Sequence, residues 1–135
     1  MGDVLGEGNE KPFWKRLGEL TASSAFLQYI SEQGSDRLTV SQAAFFMMAA
    51  VDDAAGTRST RSQLLAKADP DFRPSIRNSY RQLLEPSRVY PNALSWLTTE
   101  VNSLDSREQL LCLTDLGKSV IKGALSALEA ASKQR

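Results

Sequence analysis

The stretch that decides the fold is residues 59–114, which read STRSQLLAKADPDFRPSIRNSYRQLLEPSRVYPNALSWLTTEVNSLDSREQLLCLT. It opens with a capping-box sequence at 60–63, Thr-Arg-Ser-Gln, which predicts the first turn of a short helix. Pro70 ends that helix because it disfavours helical geometry in the residue before it. A second helix is predicted over about 73–84, with Asp71 as its cap and a proline tolerated in its first turn.

A two-stranded hairpin is predicted after these two helices. Residues 94–101 (LSWLTTEV) and 108–113 (EQLLCL) are dense in β-branched and apolar side chains, and the polar run at 102–106 forms a turn between them. The order helix, turn, helix, hairpin predicts a winged helix-turn-helix, a fold that is mainly α with a small β-hairpin.

Helical patterns flank this unit on both sides. Residues 12–33 carry an apolar stripe that ends at Gly34, and a capping box at 39–42 opens a helix that is apolar on most sides and is therefore expected at the centre. Thr114 caps a last helix that runs to about Ser132. We expect one domain at 12–135, preceded by a flexible segment at 1–11.

The apolar stripe of the last helix is too long for a core of this size to cover. We therefore expect the first and last helices to be dimerisation helices that pair with a second copy of the chain. Packing of these helices within one chain is the alternative.

The predicted helix at 73–84 has two different sides. Ile76, Tyr80, Leu83 and Leu84 fall on the side that faces the core. The opposite side carries donors and acceptors that match base edges in the major groove, and the helix contains no acidic residue. Its polar residues are Ser75, Asn78, Arg81 and Gln82, with Arg77 on the flank. DNA contact is favoured over the alternative, an ordinary solvated helix face.

The basic residues are concentrated in one window of a chain whose overall charge is zero. Residues 1–57 have a net charge of −4, whereas residues 58–88 have a net charge of +4. Such a local excess attracts polyanions. Arg107, near the hairpin tip, is expected to reach a minor groove or a phosphate, or to pair with Asp105 and brace the turn. The candidate DNA-binding residues are Arg58, Arg61, Arg73, Ser75, Arg77, Asn78, Arg81, Gln82, Arg88 and Arg107, of which Arg58, Arg61 and Arg88 are assigned to phosphates.

Composition argues against several other functions. The chain has no His and one Cys, so we expect no zinc site, no other cofactor, and no Ser–His or Cys–His catalysis; an enzyme is not expected. The lone Cys112 forms no internal disulfide and is expected to be buried and inert rather than redox-sensing. No apolar run reaches the length of a membrane span, and the acidic N-terminus is not a secretory signal, which predicts a cytoplasmic protein without a membrane partner.

Three segments resemble the MarR-type winged helix-turn-helix regulators. They are LTVSQAAFF at 38–46, STRSQLLAKA at 59–68 with SIRNSYRQLL at 75–84, and LTTEVNSLDSREQLLCLTDLG at 97–117. In the last segment, the family's Asp-x-Arg wing element and its Leu-Thr-x-x-Gly ending match Asp105, Arg107, Leu113, Thr114 and Gly117.

The resemblance implies a dimer that binds roughly palindromic duplex DNA, in a family that often responds to a small-molecule effector or to thiol oxidation. It also implies that Ser75, Arg77, Asn78 and Arg81 lie on a recognition helix, with Arg107 in the wing. The turn ADPDFRP and the long loop at 85–92 depart from the family, so the register of base contacts stays open, and no effector motif carries over.

Two functions therefore follow from the sequence. The first is a dimeric, sequence-specific, double-stranded-DNA-binding transcriptional regulator, acting as a repressor. The second is a protein with the same winged-helix fold that acts as a protein-interaction or accessory module and has no sequence-specific DNA binding.

Overall fold

A computed structural model of the chain describes residues 12–34 and 38–133. The predicted flexible segment, residues 1–11, lies outside these ranges. The described chain is mainly helical and has one small antiparallel hairpin, as the sequence predicts. The helices are α1 (Leu17–Gln33), α2 (Val40–Ala54), α3 (Arg61–Lys67), α4 (Arg73–Ile76) and α5 (Asp115–Ser132), the strands are β1 (Leu97–Asn102) and β2 (Asp105–Leu113), and 3₁₀ helices span Phe13–Arg16 and Ser79–Leu83.

Side-chain caps set the starts of three helices, and all three were predicted. The Thr39 hydroxyl accepts a hydrogen bond from the Gln42 amide, while the Gln42 side chain accepts one from the Thr39 amide. Thr60 and Gln63 form the same reciprocal pair at the start of α3. Thr114 accepts from the Gly117 amide at the start of α5. Each cap satisfies backbone donors that have no partner within the helix.

The continuous helix predicted over 73–84 is wrong. The structure has a four-residue helix, α4, then a bend at Arg77 and Asn78, then the 3₁₀ helix Ser79–Leu83. Asp71 does not cap α4; Phe72 occupies the cap position without a side-chain hydrogen bond. We call residues 73–83 the 73–83 segment.

Two physical causes account for this broken helix. The hydroxyls of Ser75 and Ser79 donate to the carbonyls of Phe72 and Ser75, and such local bonds compete with a regular helix. The far end of the segment is also bonded to residues 94–96 through the amides of Leu94, Ser95 and Trp96. Ile76, the last residue of α4, and Leu83, the last residue of the 3₁₀ helix, are fully buried, so packing in the core overrides helix propensity.

The hairpin pairs β1 with β2 from Leu97 opposite Leu113 to Asn102 opposite Asp105, with an irregularity at Val101 and Asn102. β1 begins three residues later than predicted. Residues 94–96 bond to residues 82–84 instead, and Ser95 has a positive φ of 60°, which turns the chain before the strand. β2 begins three residues earlier than predicted, so the hairpin turn is tighter.

The core lies between α2, the hairpin and α5. Phe45 and Phe46 of α2 are fully buried, and the Phe46 ring lies 4.8 Å from the Trp96 ring. Met47 and Met48 pack against this core, where flexible methionine side chains fill irregular space. Gly117 of α5 contacts the Trp96 backbone so closely that an added Cβ would lie 2.0 Å from the Trp96 carbonyl oxygen. These contacts fix the start of α5 against the hairpin.

Helices α1 and α5 pack against each other along much of their length. Phe26, Ile30, Val120 and Ala124 are buried there. Helix α1 is continuous, and the Gly34 amide closes it by donating to the Ile30 carbonyl. Large apolar side chains remain exposed on these two helices: Leu20, Leu27, Leu116 and Leu125.

Candidate nucleic-acid interface

The bend in the 73–83 segment presents three polar side chains to solvent. Arg77 and Asn78 are exposed at the bend, and Arg81 is exposed one 3₁₀ turn later. Residues three apart eclipse in a 3₁₀ helix, so Asn78 and Arg81 lie on one side of the segment. Within residues 12–34 and 38–133, no hydrogen bond or ion pair engages the guanidinium of Arg77 or Arg81. Both cations are therefore available to an anionic partner.

Arg73, a predicted DNA contact, serves the fold instead. Its Nε donates to the Leu65 carbonyl at 2.7 Å, and its Nη2 lies 3.3 Å from the carbonyls of Ala66 and Ala68. These carbonyls belong to the end of α3, where a helix lacks internal donors. The guanidinium therefore caps α3 and fixes α4 relative to it.

Ser75 and Gln82 are also held by neighbours within the chain. The Ser75 hydroxyl donates to Phe72 and shares a 2.8 Å hydrogen bond with the Ser41 hydroxyl of α2. The Gln82 amide nitrogen donates to the Asn92 carbonyl at 3.1 Å. Ser75 is exposed as well, but its hydroxyl is engaged within the chain; Arg77, Asn78 and Arg81 are the exposed residues of this face with no side-chain hydrogen bond in the described ranges.

Arg58, predicted to contact phosphate, lies between two carboxylates. Its Nε is 2.6 Å from Asp53 and its Nη1 is 2.8 Å from Glu100. The hydrogen bonds that Arg58 donates, first to Asp53 and then to Glu100, raise its pKa above the ordinary value. Because two acids already compensate this cation, the assignment of Arg58 to phosphate loses its basis; the residue links α2 to β1.

Arg61 remains at the surface beside the 73–83 segment. Its guanidinium carbon lies 5.3 Å from the centroid of the Tyr80 ring, in cation–π range, and its Nη1 lies 3.5 Å from the Arg77 carbonyl. A cation–π contact leaves the edges of the guanidinium able to donate. The position of Arg61 therefore fits a phosphate contact.

A groove of about 320 Å³ separates the 73–83 segment from the hairpin. Leu84 and Leu111 form apolar parts of its lining, and Tyr80 lies beside them. Arg61 borders the groove on the α3 side, and Arg107 borders it on the hairpin side. The groove therefore has two guanidinium groups at its edges: that of Arg61 from α3 and that of Arg107 from the hairpin.

Arg107 has the bracing role that was one of the two considered for it. Its side chain is 89% exposed, and its Nε lies 3.2 Å from the Asp105 carboxylate. The Arg107 amide also donates to Asp105, at 3.0 Å, and these two hydrogen bonds lower the pKa of Asp105. Bracing of the turn is confirmed, and the high exposure leaves most of the guanidinium accessible.

The loop at 85–93 contributes contacts that sequence reasoning missed. The Tyr90 hydroxyl donates a hydrogen bond to the Asn78 carbonyl at 3.3 Å, and the Asn92 carbonyl accepts one from the side-chain amide of Gln82. Arg88 is exposed on this loop, next to Val89, which is also exposed. The unusual length of the loop was the signal in the sequence, but its length alone does not give its contacts.

Cys112 is buried, as predicted, and burial is the main cause that raises the pKa of its thiol. The thiol donates weakly to the Leu110 carbonyl at 3.7 Å. No group of three or more possible metal-binding His, Cys, Asp or Glu side chains occurs within the described ranges. No helix in these ranges has both the length and the apolarity to cross a membrane.

No protein-family model matches the chain, and no curated protein or solved structure is significantly similar to it. The resemblance to MarR-type regulators therefore remains an expectation from the sequence. The features of the structure that bear on function are the 73–83 segment, the groove and the hairpin.

Proposed function

We propose that this protein is a homodimeric winged helix-turn-helix regulator that binds double-stranded DNA in a sequence-specific manner. The observation that carries the proposal is the exposed trio of Arg77, Asn78 and Arg81, next to a groove bordered by Arg61 and Arg107. We call these five residues the basic surface. It contains guanidinium and amide groups from three neighbouring elements.

The chemistry of the basic surface matches duplex DNA. Arginine donates two hydrogen bonds to guanine, and asparagine both donates to and accepts from adenine. Asn78 and Arg81, on one side of the 3₁₀ helix, are the proposed base-reading pair. Arg61, Arg88 and Arg107 are the proposed phosphate contacts, because phosphate contacts orient the protein without requiring a particular sequence.

The broken helix changes the expected mode of docking. A continuous helix would present a long polar stripe to the major groove, whereas here the exposed residues are concentrated at one bend and the following turn. We therefore propose that the bend, rather than a helix axis lying along the groove, enters the DNA. The hairpin, on the other side of the 320 Å³ groove, reaches the neighbouring backbone through Arg107.

The homodimer is proposed from the apolar surface of the first and last helices. Leu20 and Leu27 lie two turns apart on one side of α1, and they are 58% and 44% exposed. Leu125 of α5 is exposed as well. A second copy would cover such side chains, and a two-fold dimer would place two basic surfaces on successive major grooves about 34–36 Å apart.

A second candidate function is a protein-interaction module, and exposed apolar residues on the hairpin favour it. Leu104 at the turn is 94% exposed and Val101 is 60% exposed. Apolar side chains grouped at one tip are a feature of protein-binding surfaces. In this alternative the hairpin would contact a protein and the basic surface would be an ordinary solvated face.

A salt titration separates the two functions. The purified protein is mixed with a labelled pool of random duplex DNA at salt concentrations between 50 and 200 mM. DNA binding through phosphate contacts predicts an affinity that falls steeply and linearly on a log–log plot as counterions return to the DNA. Absence of retained duplex even at 50 mM salt would contradict the proposal and favour the protein-interaction module.

A further inference from the structure

The loop at 85–93, which we call the strap, is bonded to the 73–83 segment through Tyr90 and Asn92. Directly after the strap, the amide of Leu94 donates to the Gln82 carbonyl at 2.8 Å, the amide of Ser95 to the Leu84 carbonyl at 3.0 Å, and the amide of Trp96 to the Leu83 carbonyl at 3.0 Å. These bonds join the end of the 3₁₀ helix to the chain that enters β1. The buried Trp96 side chain then secures this junction in the core.

Two side chains extend the attachment toward the bend. The Tyr90 hydroxyl donates to the carbonyl of Asn78 at 3.3 Å. The side-chain amide of Gln82, in the 73–83 segment, donates a hydrogen bond to the carbonyl of Asn92 in the strap at 3.1 Å. The strap therefore contacts the 73–83 segment at the residue directly before the 3₁₀ helix and again near the end of that helix.

The strap is itself folded into a compact turn. The amide of Ser87 donates to the Tyr90 carbonyl at 3.0 Å, the amide of Tyr90 donates to the Ser87 hydroxyl at 3.1 Å, and the amide of Ala93 donates to the Tyr90 carbonyl at 3.2 Å. Tyr90 is thus held by its own backbone before its hydroxyl reaches Asn78. A side chain anchored in this way loses little additional freedom when it bonds.

The 73–83 segment needs such support. A 3₁₀ helix has poorer hydrogen-bond geometry than an α-helix, and runs longer than three or four residues are uncommon, whereas this one has five. The four residues of α4 cannot stabilise it on their own. External hydrogen bonds are therefore what keep Asn78 and Arg81 on one side.

We propose that the strap is a specificity-determining element, and that Tyr90 of the strap and Gln82 of the 73–83 segment, which bond the two together, are positioning residues: they hold the 3₁₀ conformation that presents Asn78 and Arg81, and they do not contact bases themselves. The inference rests on the proposed DNA-binding function. It reassigns Gln82 from base reading to positioning, and it gives Tyr90 a role in recognition.

The first test is Tyr90→Phe, which removes only the hydroxyl that donates to Asn78. Dissociation constants are measured for a selected high-affinity duplex and for an unrelated duplex of equal length. The ratio of the two constants is expected to fall about three- to tenfold, the usual effect of one hydrogen bond. Nonspecific affinity should be unchanged, because the phosphate-binding arginines remain in place. Tyr29→Phe is the matched control, since Tyr29 lies against Gly123 of α5.

The second variant, Gln82→Met, separates positioning from base reading. If Gln82 positions the segment, the variant lowers the specific-to-nonspecific ratio as Tyr90→Phe does, and the preferred sequence is unchanged. If Gln82 reads a base, selection with the variant relaxes one position of the preferred sequence, and that result would overturn the inference.

Hydrogen exchange of the free protein gives a readout independent of DNA. Tyr90→Phe should speed exchange of the amides of Leu94 and Trp96 while leaving those of α5 protected. If the wild-type protein binds a specific duplex but Tyr90→Phe changes neither the affinity ratio nor this exchange, the inference fails and the proposed function stands. If the wild-type protein binds no duplex, both the inference and the proposed function are contradicted.

Discussion

The Asp53 carboxylate, near the end of α2, accepts a 2.9 Å hydrogen bond from the backbone amide of Leu113 at the end of β2, although sixty residues separate them in the chain. The other Asp53 oxygen is paired with Arg58, which continues to Glu100 on β1. One aspartate thus joins the central helix to both strands. This link sets the position of the hairpin relative to the rest of the basic surface.

Asp53→Ala should lower the free energy of unfolding by about 1–3 kcal/mol, because the Leu113 amide would lose its acceptor in a site where water has little access. The Asp53 side chain is only 7% exposed. Urea unfolding followed by circular dichroism measures the effect. Glu32→Ala, which removes an exposed acid from α1, is the control and should be near neutral. Equal stabilities of the two variants would contradict the structural role of Asp53.

Stability should decline in acid through the two neighbouring aspartates. The hydrogen bond from Ser59 is the main cause that lowers the pKa of Asp52, with Lys67 adding to it against the effect of burial. For Asp53, burial acts to raise the pKa, but the hydrogen bonds from Arg58 and the Leu113 amide outweigh it.

Both folded-state pKa values lie below the ordinary value of 3.8. The stabilisation is therefore complete above about pH 5 and is lost as the pH falls through 3.8 and below. Unfolding free energies measured at steps between pH 6 and pH 2.5 check this, and Asp53→Ala should flatten the profile. An identical profile in that variant would argue against the assignment.

Gly117→Ala should destabilise the protein although alanine favours helices. The added Cβ would lie 2.0 Å from the Trp96 carbonyl oxygen, which is backbone that cannot move without shifting the start of β1. We expect a loss of about 1–3 kcal/mol in thermal or urea unfolding, typical of overpacking. Ser119→Ala, at an exposed position of the same helix, should be neutral or slightly stabilising. A stabilised Gly117→Ala protein would show that the close approach has been misjudged.

Arg81→Ala should weaken binding to a selected duplex by about 1–3 kcal/mol and relax the preference at one position, the pattern of a base contact. Arg107→Ala should instead weaken specific and nonspecific duplexes alike and reduce the salt dependence, the pattern of a phosphate contact. Lys15→Ala, in the 3₁₀ turn before α1, is the control for loss of one positive charge. Fluorescence anisotropy at several salt concentrations measures all three, and equal behaviour of Arg81→Ala and Lys15→Ala would exclude Arg81 from the interface.

Local chemistry made much of the fold predictable. The threonine–glutamine capping boxes and Thr114 fixed three helix starts to the residue, because each cap is decided by side chains within one turn. The buried central helix and the hairpin followed from apolar patterns of the right period. The start of β1 was displaced by three residues, since Ser95 and its neighbours bond to residues 82–84 instead of to β2.

The candidate site was less predictable because its residues depend on partners far along the chain. The helical pattern correctly predicted that Arg77 and Arg81 lie away from the core. It did not distinguish them from Arg58, which meets a carboxylate 42 positions later, or from Arg73, which turns back to cap α3. The accessibility of a basic side chain to DNA depends on the contacts that the fold already makes with it, and for Arg58 and Arg73 those contacts are tertiary.

The most direct test of the central claim, that the basic surface reads duplex DNA, is selection of bound fragments from a random duplex pool with the wild-type protein. We expect enrichment of one short motif in two copies related by two-fold symmetry, with centres about 10–10.5 base pairs apart. A pool whose sequence composition is unchanged after several rounds would contradict it.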